Sequence, residues 1–351
     1  MQMAIIFQIF SVIVGFGFLI FIHELGHFLA AKMCRIKIMI FAFGFGPDLI
    51  KCTFKGTKYC IKAIPFGGFV KMMGEIHDEV TGNEEGYLAL VWYKKVWISF
   101  AGPFLNYIFA IFLFSFIFNM FGVMTPTTSC SIRSVIENSP AAVAGLMAGD
   151  KIKSVDAAEV RTWNDLNIEL KDRVGKYASF VIERKGKFFE LNMCVVKKPV
   201  TGVPTIGIHP MKTKIGLIKS LYFGVKTSIS QTVLPVTYLL NKVVSLEKPD
   251  ISGPIGIIQL MTNAMRESIQ DYLMLIAILS VALGLFNLFP IPMVDGGMIL
   301  LFFIEGIIRK RIGAKIIQIY NVIGLILIGN IFVFATYSDL LRLSAMRLLG
   351  K

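Results

Sequence analysis

The chain has 351 residues, 55% of them hydrophobic and 17% charged, with a formal net charge of +13 and a mean hydropathy of +0.68. That is too apolar for an ordinary soluble domain, which carries about a quarter charged residues, and too rich in apolar and aromatic side chains for a disordered chain. Nor does the positive charge mark a nucleic-acid binder: Lys and Arg number none in 1–31, ten in 32–96, nineteen in 122–272, four in 305–317 and three after 337, so the long apolar stretches are free of them, as in a multi-pass membrane protein.

The first predicted element is an apolar run over 4–31, longer than the roughly 20 residues a spanning helix needs. It has no basic leader and no convincing small-residue cleavage site, so it reads as a retained span rather than a signal peptide. Residues 36–43 are β-favouring and run into Gly44-Phe45-Gly46-Pro47; a second such stretch, 61–72, holds Pro65-Phe66-Gly67-Gly68. A second span covers 97–121, with Trp92, Tyr93 and Trp97 beside Lys94 and Lys95 as its interfacial anchor. The composition then changes. A compact mixed domain is expected, with a strand at 131–136, a turn at 140–145, a helix at 162–172 and strands at 178–184 and 188–196. Residues 215–246 are amphipathic, interrupted by Lys219, Lys226 and Lys242, and read as lying on the membrane surface. Spans three and four follow at 273–304 and 318–337. The basic residues of 32–96 and the turn at 305–317 place those segments in the cytoplasm, with both termini and 122–272 outside; Arg342, Arg347 and Lys351 pull the other way.

Five cysteines, Cys34, Cys52, Cys60, Cys130 and Cys194, include no CxxC pair, so they read as small buried hydrophobes; Cys130 and Cys194 are the one pair an oxidising compartment would allow. His77 and His209 sit in polar loop or strand-end contexts and read as ordinary.

The chemistry is concentrated in the spans. Span one contains His23-Glu24-Leu25-Gly26-His27. Helical i,i+4 spacing puts both imidazoles on one face, about 6 Å apart along the axis, where two nitrogens can share one metal ion and Glu24 can take a proton from water. Ionisable groups inside a span are costly and therefore functional by default. Two histidines leave a catalytic zinc one protein ligand short. Glu305, at a helix end beside the basic turn, can be solvated there, whereas Asp295 lies deeper in Asn287-Leu288-Phe289-Pro290-Ile291-Pro292-Met293-Val294-Asp295-Gly296-Gly297. His23 precedes Lys32 by about 13 Å of helix and Asp295 precedes Glu305 by about 15 Å. With spans one and three taken as antiparallel, the two sites lie at similar depth, and Asp295 is the expected third ligand. Pro290, Pro292, Gly296 and Gly297 break that span, which membrane depth tolerates where backbone lines a wet cavity.

These motifs, with Gly102-Pro103-x-x-Asn106 opening span two, resemble the site-2 protease family of intramembrane zinc metalloproteases, in its bacterial regulator-of-sigma-E branch, over nearly the whole chain. The resemblance implies one Zn²⁺ per chain held by His23, His27 and Asp295, Glu24 as general base, and Asn106 and Asn287 near the substrate or the catalytic centre. Residues around Ser139-Pro140-Ala141-Ala142 and Gly149-Asp150 are similar to the family's inserted PDZ domains. The two β-favouring stretches look like its membrane-associated β-hairpin, in which Ile38, Ile40, Gly67 and Gly68 are candidate substrate-binding residues, with 36–43 clamping an extended substrate by strand addition.

The expected fold class is thus a polytopic α-helical membrane protein with four transmembrane helices, an inserted α+β PDZ-like domain and a membrane-associated β-hairpin. Its divisions are 1–121 (spans one and two with the hairpin), 127–209 (PDZ-like), 210–272 (amphipathic) and 273–351 (spans three and four). The expected activity is hydrolysis of peptide bonds in transmembrane segments of single-span proteins, such as anti-sigma-type regulators and remnant signal peptides, in regulated intramembrane proteolysis at the bacterial inner membrane. The active site faces the cytoplasmic side, the partners are the lipid bilayer and a peptide or chain terminus at the PDZ-like domain, and no nucleic acid is involved. A non-catalytic receptor or a metal transporter fits less well: Glu24 has no use in a purely structural site, and only one intramembrane cluster is present rather than a path.

Overall fold

The computed structural model describes residues 2–74, 86–123, 129–197, 203–245 and 253–348; His77 lies outside them. The chain divides into two compact units, Met1–Ser115 with Leu221–Lys351, and Phe116–Ser220.

The first unit is built on long apolar helices. Helix α1 (Gln2–Met33) leads into strands β1 (Ile38–Phe54) and β2 (Thr57–Met72), then α2 (Trp92–Phe121). Later come α5 (Leu217–Val244), α6 (Pro254–Glu267), α7 (Ile269–Leu288), α8 (Asp295–Ile308) and α9 (Ala314–Leu348), numbered after the second unit's α3 (Pro140–Val143) and α4 (Trp163–Lys171). Among the described residues four helices are long and apolar enough to cross a membrane: Phe10–Met33, Trp92–Phe121, Ile269–Leu288 and Lys315–Arg342. The third expected span therefore ends earlier than the apolar run suggests. Backbone at 289–294 leaves the helix, as Pro290 and Pro292 require, and α8 restarts at Asp295.

Helices α1 and α2 cross antiparallel where Gly26 meets Ala101 and Gly102; a Cβ on Gly26 would lie 2.8 Å from Gly102 Cα. Small residues permit this approach, which apolar surface cannot drive when the solvent is itself apolar. Helix α7 runs the same way as α1, not opposite to it. Its Tyr272 hydroxyl donates to Ser11 O at 2.6 Å, and Ser280, two turns on, donates to Asn106 O beside His23. Equal depth measured from one face requires that shared direction, so the antiparallel expectation is corrected.

One further expectation changes, at Glu305, and helix α5 shows its packing partner. Gly224 packs on Ile111 and Ser115, and Thr232 Oγ1 donates to the Tyr107 hydroxyl at 3.1 Å, so α5 runs antiparallel along α2 through a stripe of small residues at Gly224, Ser228 and Thr232. Glu305 is buried rather than solvated. Its Oε1 accepts from Lys95 Nζ at 2.6 Å, with the two side chains 7% and 1% exposed, so Lys95 is a buried partner and not part of an interfacial anchor. Helix α6 is tied to α9 by Asp339, whose carboxylate accepts the N–H groups of Gly253 at 3.0 Å and Gly256 at 2.9 Å.

Strands β1 and β2 fold back on themselves. Gly44 and Gly46, at φ 91° and 87°, bend β1 as only glycine does without strain. Residues 38–43 consequently pair on one side with 68–72 and on the other with 58–61, while 48–54 pairs with 57–62.

The second unit is an independent mixed α/β structure. Strands β4 (Lys151–Val155), β5 (Ala158–Glu159), β6 (Tyr177–Arg184) and β7 (Lys187–Cys194) form an antiparallel sheet in the order β5-β4-β6-β7; β3 (Ile132–Val135) pairs with β10 (Ile208–Pro210), which contains His209, and β8 (Val196–Lys197) with β9 (Pro204–Thr205). Alternation in β6 buries Phe180 and Ile182 against Leu166 of α4. Thr162 and Asp165 close a reciprocal capping box at the start of α4. Strands β3, β6 and β7 and helix α4 match the strands and helix read from periodicity to within two residues; β4, β5, β8, β9 and β10 are not among those read, and the expected turn at 140–145 opens with helix α3. All five thiols are free.

Candidate metal centre

The antiparallel crossing of α1 and α2 sets the site. His23 and His27 lie one turn apart on α1, with ring centroids 4.8 Å apart and Nε2 atoms 3.2 Å apart. Asp295, in the first turn of α8, brings Oδ2 to 3.1 Å from His23 Nε2 and Oδ1 to 3.4 Å from His27 Nε2. Together these are the one His/Cys/Asp/Glu cluster of metal-binding geometry among the described residues. Two glycine contacts make it possible. A Cβ on Gly102 would press into the His27 ring and come 2.9 Å from His23 Cε1, and one on Gly297 would collide with Ile291 O.

The donor set fits a divalent ion. His27 Nδ1 lies 2.8 Å from Ile98 O, so that nitrogen carries the proton and Nε2 presents a lone pair toward His23. Asp295 Oδ2 is buried without a directed hydrogen bond. Lone pairs brought this close repel unless a cation lies between them. Tetrahedral ligation at 2.0–2.1 Å separates donors by about 3.3 Å, which the observed 3.1–3.4 Å separations match.

The cluster opens on a cavity of about 810 Å³ whose wall also carries Glu24, Asn287, residues 69, 70 and 72 of β2, and Ile317, Gln318 and Asn321 of α9. The Val70 main chain lies beside Glu24, and a Cβ on Gly68 would stand 3.1 Å from Glu24 Cγ. Gly67 turns the chain at φ 121° against the Phe45 ring. Asn287 faces the cavity while its Nδ2 donates to Leu283 O at 3.0 Å.

Three of the expected site residues, Ile38, Ile40 and Asn106, are not on the cavity wall, although Asn106 lies against the expected ligand His23. Ile38 is buried in the core beneath α1, with its carbonyl accepting from Thr57 Oγ1 at 2.9 Å. Ile40 pairs with both Lys58 and Lys71. Strand 36–43 therefore has neighbours on both sides, and the outer strand beside the cavity is 68–72. Asn106 is 0% exposed and stands behind His23, off the cavity wall. Sequence reasoning missed the cavity wall supplied by α9, the backbone carbonyl of Ile98 and the Lys95–Glu305 pair. The glycines at 26 and 102 were the available signal for the close crossing.

Residues 11–330 match the model of peptidase family M50. Curated relatives include proteins of Campylobacter jejuni, 32% identical over 96% of this chain and 94% of that one, Clostridium acetobutylicum, 32% over 95% and 97%, and Agrobacterium fabrum, 30% over 92% and 92%. Each carries the name "putative zinc metalloprotease". Among solved structures, the PDZ domain of the SdrC-like protein of Listeria monocytogenes is 22% identical over 25% of this chain and 93% of that one, with a TM-score of 0.22.

Proposed function

The chain belongs to peptidase family M50 and is a zinc metalloendopeptidase; on that premise we propose that it cuts peptide bonds within or just inside the membrane-spanning segments of single-span proteins, anti-sigma-type regulators and remnant signal peptides among them. The observation that carries this reading is the meeting of His23, His27, Asp295 and Glu24 on one cavity, among helices apolar enough to cross a membrane.

His23 and His27, through Nε2, and the Asp295 carboxylate hold one Zn²⁺. When bound, the ion supplies Lewis acidity toward water and the scissile carbonyl. Glu24 accepts the proton of the attacking water as its oxygen bonds to the carbonyl carbon, and delivers a proton to the amine as the C–N bond breaks. A helical substrate hides its carbonyls in its own hydrogen bonds, so it must unwind before attack. Strand addition at 68–72 holds the extended form, and Gly67 and Gly68 leave room for it beside Glu24; Asn287 lines the same space. Depth and the basic turns favour a site toward the cytoplasmic face of the bacterial inner membrane, with both termini and the Phe116–Ser220 unit outside. That unit is read as the PDZ-like domain, offering a sheet edge to a peptide or chain terminus.

The test is cleavage of a single-span reporter by the purified chain and by Glu24→Gln, with zinc quantified in both. Loss of activity in Glu24→Gln, by about 10²-fold or more, with about one zinc per chain retained is the expected result. Cleavage unchanged in Glu24→Gln overturns the role of Glu24, and absence of zinc from the wild type overturns the ligand set.

A further inference from the structure

We propose that Asn106 is a positioning residue that accepts the Nδ1 proton of His23 and thereby fixes its tautomer and ring orientation, rather than a residue that meets substrate; the proposal rests on the metalloprotease reading above. Asn106 is fully buried and off the cavity wall. Its Nδ2 lies 3.2 Å from His23 Nδ1, and its Oδ1 is buried with no hydrogen-bond partner. From the opposite side Ser280 Oγ donates to the Asn106 main-chain carbonyl at 2.9 Å, so α1, α2 and α7 meet at this one residue.

Ligation through Nε2 requires the imidazole proton on Nδ1. His27 meets that requirement with Ile98 O, 2.8 Å away. His23 meets a carboxamide instead, and an NH₂ group facing Nδ1–H opposes donor to donor. Half a turn of the carboxamide exchanges two groups of nearly identical shape. Oδ1 then accepts from Nδ1–H and leaves the place where it has no partner. The two histidines thus take their acceptors from α2 by different means, His27 from a backbone carbonyl and His23 from a side chain. The side chain is the one substitution can remove.

The decisive property is acceptance, and Asn106→Asp and Asn106→Leu separate it from volume. Zn²⁺ affinity of the purified full chain is measured by chelator competition, and the visible spectrum of the Co²⁺-loaded chain reports ligand geometry. Asn106→Leu is expected to weaken Zn²⁺ binding about 10–100-fold, the usual effect of losing a ligand's outer partner, and to shift the Co²⁺ bands. Asn106→Asp, an acceptor only, is expected to restore both to near the wild-type values. Wild-type Zn²⁺ affinity in Asn106→Leu overturns the assignment, as does an Asp variant no better than the Leu variant. A change confined to KM for the reporter, with metal binding untouched, returns Asn106 to substrate binding. Should the wild-type chain itself hold no zinc, the metalloprotease reading falls instead, so the two failures are distinguishable.

Discussion

The two units are held together by different physics. In Phe116–Ser220 alternating apolar side chains such as Ile132, Ile152 and Phe180 are withdrawn from water completely, and the charged groups stay on the outside apart from Asp150, which is buried against Arg184. In the other unit many large apolar side chains point outward, Phe112 at 66% exposed and Phe332 at 57%, while the interior holds His23, His27, Lys95, Glu305 and Asn106 beside apolar groups such as Ile98 and Phe302. Between membrane helices apolar surface gives little driving force, so close backbone approach and polar contacts select the arrangement. One residue type therefore has opposite meanings in the two halves, and substitutions can be chosen to expose the contrast.

The largest difference is expected at glycine. Gly102→Val drives a side chain into the imidazoles of His27 and His23 and is expected to abolish zinc retention, read as zinc per chain. Gly145, at φ 79° with nothing within 4 Å of a Cβ, should tolerate Ala at about 1 kcal/mol, from backbone conformation alone. Zinc retained in Gly102→Val would break the comparison.

Ion pairs come next. Lys95→Met leaves Glu305 charged and buried, a loss of about 3–5 kcal/mol, which a second change, Glu305→Leu, should largely recover. Arg161 and Glu159, 78% and 66% exposed, form a solvent-screened pair whose removal by Arg161→Ala should leave stability essentially unchanged. Unfolding in mixed detergent measures the first, and a double-mutant cycle measures the second. No recovery in the Lys95→Met/Glu305→Leu chain would mean that the pair does more than neutralise itself.

The smallest effect is one of pH. Burial raises the Asp150 carboxyl, but hydrogen bonds from Arg184, at 2.7 Å, and from Met147 N–H outweigh it and hold the group below its usual range. A depressed carboxyl stabilises above its unfolded value, near 3.9, and the stabilisation is lost as pH falls through the folded value. Arg184→Met should therefore move acid unfolding of this unit toward neutral pH. Cys130 provides the readout in the intact chain: it is fully buried, so it should resist exchange with a pyridyl disulfide, which is activated by protonation at acid pH and releases a thiopyridone as the mixed disulfide forms, until the unit opens. Labelling of Cys130 at the same acid pH in both chains would count against the Asp150–Arg184 pair.

What was legible in the sequence follows the same division. Strand alternation and the Thr162 cap declare the second unit, because burial from water leaves a period in the chain. The grouping of His23, His27 and Asp295 is legible because helical spacing and depth are one-dimensional quantities. The sheet was harder. Composition marks 36–43 as a strand, but that neither of its edges stays open depends on 57–61 pairing with it beside the Gly44–Gly46 bend. The packing of α5 on α2 was not legible because Gly224, Ser228 and Thr232 dilute an apolar run as polar surface would, although here they form a packing stripe. Glu305 was misjudged because its partner Lys95 lies 210 residues away in sequence, and nothing local shows that the charge is neutralised.

The turn before Asp295 acts as a length standard. Residues 289–294 join α7 to α8 with two prolines and with Met293 at φ 76°, and Gly324 of α9 sits against Pro292 and Met293 from outside. One residue more or fewer would change the reach of this non-helical link by up to about 3.5 Å, enough to carry the carboxylate away from both imidazoles. Length variation in this part of the chain must therefore fall elsewhere, as in the exposed Arg309–Arg311 turn beyond α8, and anyone grafting this half-site onto another scaffold must move 287–297 as a single piece.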